Sequence, residues 1–412
     1  MSSIAVVGAG IIGTTIAYEL QRRGETVVLV DRVGPGTGAS FGNMASIAVT
    51  EFMPASRPGV WAQMPKWLLD PEGPVSIRPG YVPKLLPWFL RFLAASTPAK
   101  VRELEAAGAA LCHRVHEDLD ALLKNTGLTG VLSTEGCLCL YADETEFRVD
   151  RDHLHLLERF GFRHEVLQKD AIRDLEPALT TKIDKVVLFP ENRSVADPYK
   201  LVVALADKFR LIGGTIATGE VIGFEHGQER VTALRTKDGR RIAADRFVLA
   251  AGAYTGQLSR QLGEPIPLET ERGYHTQIMA PGISIRHSLI WPARAFMVTP
   301  TAGGIRVGGS VEMAGLRGAP DFRRAKVLVK QAKEALPGLR SDEATEWMGH
   351  RPAFPDTIPL IGPSAKRRNV WYATGHGHLG LTYAATTSRL IGDLITDVTP
   401  PIDMRAYHIS RF

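Results

Sequence analysis

Two stretches of the 412-residue sequence carry residue types able to do chemistry. Toward the C-terminal end, Gly349-His350-Arg351-Pro352 is followed by Pro355-Asp356 and then by Thr374-Gly-His-Gly-His-Leu-Gly380. A guanidinium such as that of Arg351 offers a planar fork to a carboxylate, fixing its orientation as well as its charge. An ion pair with an acid such as Asp356 is the structural alternative. His350 and His378 carry the side chain whose proton balance lies nearest neutrality, suited to tuning an amine proton or to a satisfied supporting role. At the other end of the chain stands Gly8-Ala-Gly-Ile-Ile-Gly13, with Asp31 beyond it. Gly8 permits a tight turn, Gly10 lets a pyrophosphate approach the backbone, and Gly13 lets a helix and strand pack closely. Asp31 is placed to accept hydrogen bonds from a ribose.

The elements that must position these residues follow from the pattern. Ile4–Val7 reads as a strand, the glycines as a turn, the stretch to Gly24 as a helix, and Val27–Val30 as a second strand ending on Asp31. A helix N-terminus in that context presents free N–H groups to phosphates. Residues 32–44 are too glycine-rich for a regular element and read as a loop over a ligand, with Ser40 and Asn43 offering hydrogen bonds. The proline- and aromatic-rich stretch Phe52–Leu93 reads as a buried connection, a lid, or a membrane-touching patch with Lys84 and Arg91 at its edge. Residues 98–126 read as a helix, Val131–Tyr141 as a strand, 143–160 as a helix and Val186–Phe189 as a strand. Asp197-Pro198 opens another helix, leading to the strand Thr215–Ala217. A turn at Asp238-Gly239 feeds a buried strand and the glycine turn at Gly252. Residues 274–311 alternate as antiparallel strands do, and 321–336 form an amphipathic helix. Val370–Thr382 is again strand and glycine-rich turn, followed by an apolar helix.

The totals bound the class. The length suggests two domains, and 44% hydrophobic with 23% charged residues is ordinary for a globular chain. The net charge of +5 comes without a Lys/Arg run, so nucleic acid is not implied. Three cysteines argue for buried thiols rather than a disulfide framework. No metal-ligand spacing stands out. No secretory signal or membrane-spanning run is evident, so a cytoplasmic protein is expected, with peripheral contact at the inner face of the membrane left open.

Six motifs in order resemble the FAD-dependent D-amino-acid dehydrogenases, which belong with glycine oxidase and D-amino-acid oxidase. They are the N-terminal fingerprint, Gly38-Ala-Ser-Phe-Gly-Asn43, Leu249-Ala-Ala-Gly252, Gly349-His-Arg-Pro352, Pro355-Asp356 and Thr374–Gly380. The resemblance covers essentially the whole chain. It implies an α/β fold: a Rossmann-like FAD-binding domain (1–50, 186–265, 345–412) interleaved with an α+β substrate-binding domain on a mixed antiparallel sheet (51–185, 266–344). It also implies non-covalent FAD, contacted by Gly8, Gly10, Ile12, Gly13, Asp31, Arg32, Ser40, Asn43, Met44, Val221, Gly252, Gly377, His378, Leu379, Gly380, Leu381 and Thr382. Among these, 377–380 would lie along the flavin's pyrimidine edge, where N–H donors stabilise the charge of reduction.

Arg351 matches the arginine that binds the substrate carboxylate, and the implied reaction moves a hydride from the substrate α-carbon to flavin N5, leaving an imino acid. Some positions depart from the pattern. Phe296 stands where related oxidases place a carboxylate-binding tyrosine, leaving Tyr274 as the nearest hydroxyl. Thr357 replaces a glycine, and His350 a leucine. Gly-His-Arg-Pro with the Gly-His-Gly-His-Leu-Gly turn is more like the branch oxidising cis-4-hydroxy-D-proline, so a cyclic substrate of that kind or D-proline is favoured. The electron acceptor implied is a quinone or dye-like molecule. The alternatives are a glycine- or sarcosine-type oxidase, a flavin subunit of a hetero-oligomeric complex, and a tRNA-modifying enzyme.

Overall fold

The computed structural model describes residues 2–60, 64, 70 and 72–412. Its organising element is a parallel sheet begun by the apolar strand Ser3–Val7. Thr26–Asp31 flanks this strand on one side and Arg246–Leu249 on the other. Thr215–Thr218 and Val370–Thr374 extend the sheet in parallel, and antiparallel Leu360–Pro363 closes it, giving six strands. Both faces are covered, so its strands are continuous apolar runs rather than alternating ones. On one face two helices pack side by side in parallel, the fingerprint helix Ile11–Arg22 and the later helix Gly380–Ile395, joined near their N-termini by Thr15 Oγ1 donating to the Ala384 carbonyl at 3.2 Å and at their C-terminal ends by Arg23 with Asp393.

A second, nine-stranded mixed sheet faces the first. Its central run is antiparallel: Ala344–Ala353, Glu269–Ile278, Gly304–Met313, Phe296–Thr301 and Ser288–Trp291, which then pairs in parallel with Cys137–Tyr141. The helix Arg323–Ala335 covers its outer face, burying a core that includes Tyr274, Phe296, Val298 and Leu328. The inner face looks toward the parallel sheet. The expected α/β architecture with a mixed sheet is what the structure shows.

Particular elements differ from expectation. Lys185–Phe189 and Ala344–Ala353 belong to the larger sheet, so boundaries at 186 and 345 divide strands from their hydrogen-bonded neighbours. Val131–Tyr141 is two strands. Gly136 breaks it with φ +89°, and a Cβ there would stand 2.9 Å from the Phe189 carbonyl oxygen. The 143–160 stretch is two helices, Glu144–Val149 and Arg151–Arg159, separated at Asp150. Asp197 does cap its helix, its carboxylate accepting from Lys200 N at 3.0 Å. The three cysteines are buried free thiols.

Part of Phe52–Leu93 lies outside the described residues. Its last portion is the helix Val82–Ala95, which is neither wholly buried nor wholly free. Leu85 and Phe92 face inward, Val82, Leu86 and Leu90 are at least half exposed, and Trp88 Nε1 donates to the Ala353 carbonyl. Among the described residues no helix is long and apolar enough to cross a membrane, and no cluster of three His, Cys, Asp or Glu side chains could hold a metal.

Candidate active site

The two sheets enclose a cavity of about 620 Å³ running from the fingerprint to the larger sheet's inner face. Gly8 (φ +102°) and Gly13 build its floor: a Cβ on Gly13 would stand 1.8 Å from the Gly8 carbonyl oxygen, and one on Gly8 2.5 Å from that of Ala250. Gly10 is different, because its Cβ would meet only Ser40 Oγ, at 3.3 Å. What Gly10 keeps clear is the cavity itself. Asp31 accepts from Ala9 N through one oxygen and from Val33 N and Gly34 N through the other. Its carboxylate therefore shapes the glycine turn and the following loop while remaining in the cavity wall. Ser40 Oγ accepts from Ile11 N. Asn43 braces its own loop, donating to the Ser40 carbonyl and accepting from Ala45 N, so both polar side chains serve the loop's shape.

Arg32, Val221 and Gly252 line this same end, with the Arg32 guanidinium 4.0 Å above the Tyr254 ring. Tyr254 is a contact that the sequence reading missed; a tyrosine in the turn after the second glycine motif was the available signal.

Two helix N-termini open onto the cavity without side-chain caps at their free amides. In Ile11–Arg22, Ile12 and Gly13 have no intrahelical acceptor; in Gly380–Ile395, the same holds for Gly380, Leu381 and Thr382. The expectation for the turn before the second helix changes in detail. Gly377 N donates to the Pro352 carbonyl and Leu379 N to that of His376, so those two amides hold the turn. The free donors lie one step on, at the helix start, where the helix dipole adds positive potential.

Arg351 lies half-buried on the larger sheet's inner face. One guanidinium nitrogen, Nη1, donates to the Ser310 carbonyl at 3.0 Å, and no carboxylate among the described residues lies within ion-pair distance. The Asp356 alternative is excluded, since Asp356 pairs with Arg411 at 2.8 Å. The Arg351 side chain folds diagonally over Gly273 of the adjacent strand, where a Cβ would be 2.2 Å from a guanidinium nitrogen. Gly273→Ala should therefore leave the fold and cofactor binding intact, because a flexible side chain can move aside. It should lower kcat/KM ten- to a hundredfold, the order expected for misplacing an orienting group. A steady-state comparison beside the flavin content checks this.

Strand alternation explains where the other candidates point. Gly273 and His275 face the cavity, so Tyr274 faces away. Its hydroxyl donates to Glu312 at 2.6 Å and accepts from Asp321 N, and it is unavailable to a substrate. Phe296 likewise turns into the outer core. His350 alternates with Arg351 and lies instead near Tyr254, its Nδ1 2.9 Å from Thr270 Oγ1. Burial, then the charges of Arg272 and Arg32, hold its pKa down at about 4. His376 is buried against Thr387. His378, on the turn before the helix Gly380–Ile395, lines the cavity beside Arg351; enclosure and that guanidinium lower its pKa to about 4, leaving a neutral ring near pH 7.

His275, stacked on Trp347, and His376 are each depressed by burial to about 3. With His350, these three groups have folded pKa values below the unfolded value of about 6.5. The unfolded chain then binds more protons, so stability is present above pH ~6.5 and is lost as pH falls toward 4. Denaturant midpoints measured across that window should fall with pH.

The description "DAO: FAD dependent oxidoreductase" fits residues 3–394 of the chain as a family model. The chain belongs to that family. FAD is its cofactor, and the glycine floor, the uncapped amides and the cavity's extent fit that group. A D-amino-acid oxidase of Bradyrhizobium diazoefficiens is 34% identical over 99% of this chain and 98% of its own length. A D-amino acid dehydrogenase of Sinorhizobium medicae is 30% identical over 99% of both. Among solved structures, glycine oxidase from Geobacillus kaustophilus superposes with a TM-score of 0.77 at 19% identity over the whole of both chains. L-Proline dehydrogenase from P. horikoshii gives 0.75 at 20%, over all of this chain and 97% of that one. These last two share the fold.

Proposed function

We propose that this FAD-dependent oxidoreductase oxidises a D-amino acid to the imino acid, with a cyclic substrate such as cis-4-hydroxy-D-proline or D-proline favoured. The observation carrying this reading is the Arg351 guanidinium. It is held by one backbone carbonyl and lies next to an uncharged His378, at the end of the cavity opposite the fingerprint. Relatives aligned over the full length and named for D-amino acids support it, and the Gly349–Pro352 motif supports the cyclic preference.

Bound FAD supplies the two-electron acceptor. The protein's own groups do the rest. Arg351 binds the carboxylate through the fork it does not spend on Ser310, which fixes the face of the α-carbon presented to the cofactor. The neutral His378 ring adds no positive charge beside Arg351 and can accept a hydrogen bond from the substrate amine, which binds as the free base so that its lone pair is available as the α-C–H bond breaks. The uncapped Gly380, Leu381 and Thr382 amides place the positive end of a sixteen-residue helix against the cavity, favouring negative charge there.

An anaerobic flavin-reduction screen over D- and L-amino acids, including both prolines and their hydroxy forms, tests the reading. D-isomers should bleach the flavin and L-isomers should not; failure of every D-amino acid overturns it. Among our inferences is a quinone or dye as acceptor, and peroxide formation in air would assign oxygen instead.

A further inference from the structure

Two acids that the chemistry above does not use line the cavity, and one of them, Glu220, is paired with Lys237 at 3.2 Å. The other, Glu51, is partly exposed, although its neighbours Val49, Thr50 and Phe52 are all at most 4% exposed. The exposure therefore opens inward. Its carboxyl has no hydrogen-bond or ion-pair partner among the described residues. The nearby cation is already engaged: His153 turns Nε2 to the Thr50 carbonyl at 2.8 Å and Nδ1 toward Asp150 at 3.7 Å.

Sheet register places Glu51 relative to Arg351. One row crosses the inner face in the order His275, Gly308, Met297, Ile290, Cys139. Arg351 reaches the strand at Ser310, next to Gly308 and Gly309 in that row's second strand. Glu51 lies at the far end: its neighbour Thr50 donates through N to Asn192 Oδ1, Asn192 N donates to the Phe189 carbonyl, and Phe189 is paired with Cys137 on the strand that carries Cys139. Three strand spacings, about 14 Å, separate the two ends. With a long side chain reaching in from each, the interval left is on the order of one amino acid. Met297 and Ile290 wall that interval with apolar surface. A cation at one end, an apolar middle and an unpartnered acid at the other suit a carboxylate, an apolar stem and a hydrogen-bond donor. An acid enclosed without a partner is also costly, and a ligand donor would remove that cost.

We propose that the Glu51 carboxyl accepts a hydrogen bond from a donor on the substrate's side chain, so that the site selects D-amino acids bearing a hydroxyl or a cationic nitrogen. This rests on the D-amino-acid reading above. The holoenzyme is compared on two matched pairs, cis-4-hydroxy-D-proline with D-proline and D-lysine with D-norleucine. One pair should show a kcat/KM ratio favouring the donor, and Glu51→Gln should shrink that ratio ten- to a hundredfold, the worth of a hydrogen bond to a charged group. The pair that responds tells hydroxyl from ammonium. Glu51→Asp, which keeps the acid, should retain part of the ratio. A second readout needs no turnover: 4-(aminomethyl)benzoate should perturb the flavin spectrum at lower concentration than 4-methylbenzoate, and Glu51→Gln should abolish the difference. Ratios near one in the wild-type enzyme, or unchanged in Glu51→Gln, overturn the proposal. Should no D-amino acid reduce the flavin, the functional reading falls while the benzoate pair still decides the role of Glu51.

Discussion

Arg351→Ala is expected to raise KM for the substrate by roughly a hundredfold while the purified protein stays fully yellow. The magnitude follows from removing one member of a desolvated, hydrogen-bonded charge pair, which costs about 2–5 kcal/mol. The separation of effects follows from position, because Arg351 sits on the larger sheet and the free amides of the phosphate end sit on the smaller one. Arg351→Lys should recover only part of the loss, since an ammonium keeps the charge but not the planar fork. Flavin absorbance per mole of protein, taken beside steady-state kinetics, separates binding of cofactor from binding of substrate. A near-normal KM in Arg351→Ala would remove this residue from the substrate site.

The second large effect separates two glycines of one motif. Gly13→Ala forces a Cβ to within 1.8 Å of a backbone oxygen, and neither partner can rotate away. The helix must shift, and the protein should lose about 3 kcal/mol or more of stability even without cofactor, as backbone strain of this kind does. Gly10→Ala meets only a side-chain hydroxyl at 3.3 Å. The cofactor-free protein should melt close to wild type, while FAD binding weakens sharply because the added methyl enters the cavity. Thermal melts of the two apoproteins, followed by flavin titration, test this. Equal destabilisation of both variants would contradict the distinction.

The contrast shows what could be read from residues alone. The motif's spacing announced a nucleotide turn and its strand–helix frame, since those depend on local glycine geometry and hydrophobic period. It also assigned Gly10 to a pyrophosphate's approach and Gly13 to close helix–strand packing, but it did not give the hydroxyl that closes over this turn, because Ser40 comes from a loop 29 residues beyond Ile11. Tyr274 failed for a similar reason. Its hydroxyl was a sound chemical candidate, but the alternation of Gly273, Tyr274 and His275 across the strand sends it to the outer core, and the face that holds the site is set by the pairing of Gly273 with Gly349 and of His275 with Trp347. Arg351 was legible because a guanidinium in a glycine- and proline-flanked motif has few uses. Glu51 was not, although a single acid inside Ala48-Val-Thr-Glu-Phe-Met53 was a signal in plain view. Thr357 takes a left-handed backbone, φ +63°, the conformation in which glycine is at ease and a β-branched residue is not.

The hydrogen bond from Thr15 to Ala384 and the ion pair from Arg23 to Asp393 join residues some 370 apart. A ribosome therefore finishes the first wall of the cofactor cradle long before it delivers the opposite one. The fingerprint helix emerges with its apolar face uncovered and waits while some 370 further residues are made. Contacts of such sequence separation form slowly, and exposed apolar surface during that delay invites aggregation. Flavin capture is thus a late event in the life of each new chain, and ribosome-stalled chains ending before residue 380 should not retain FAD.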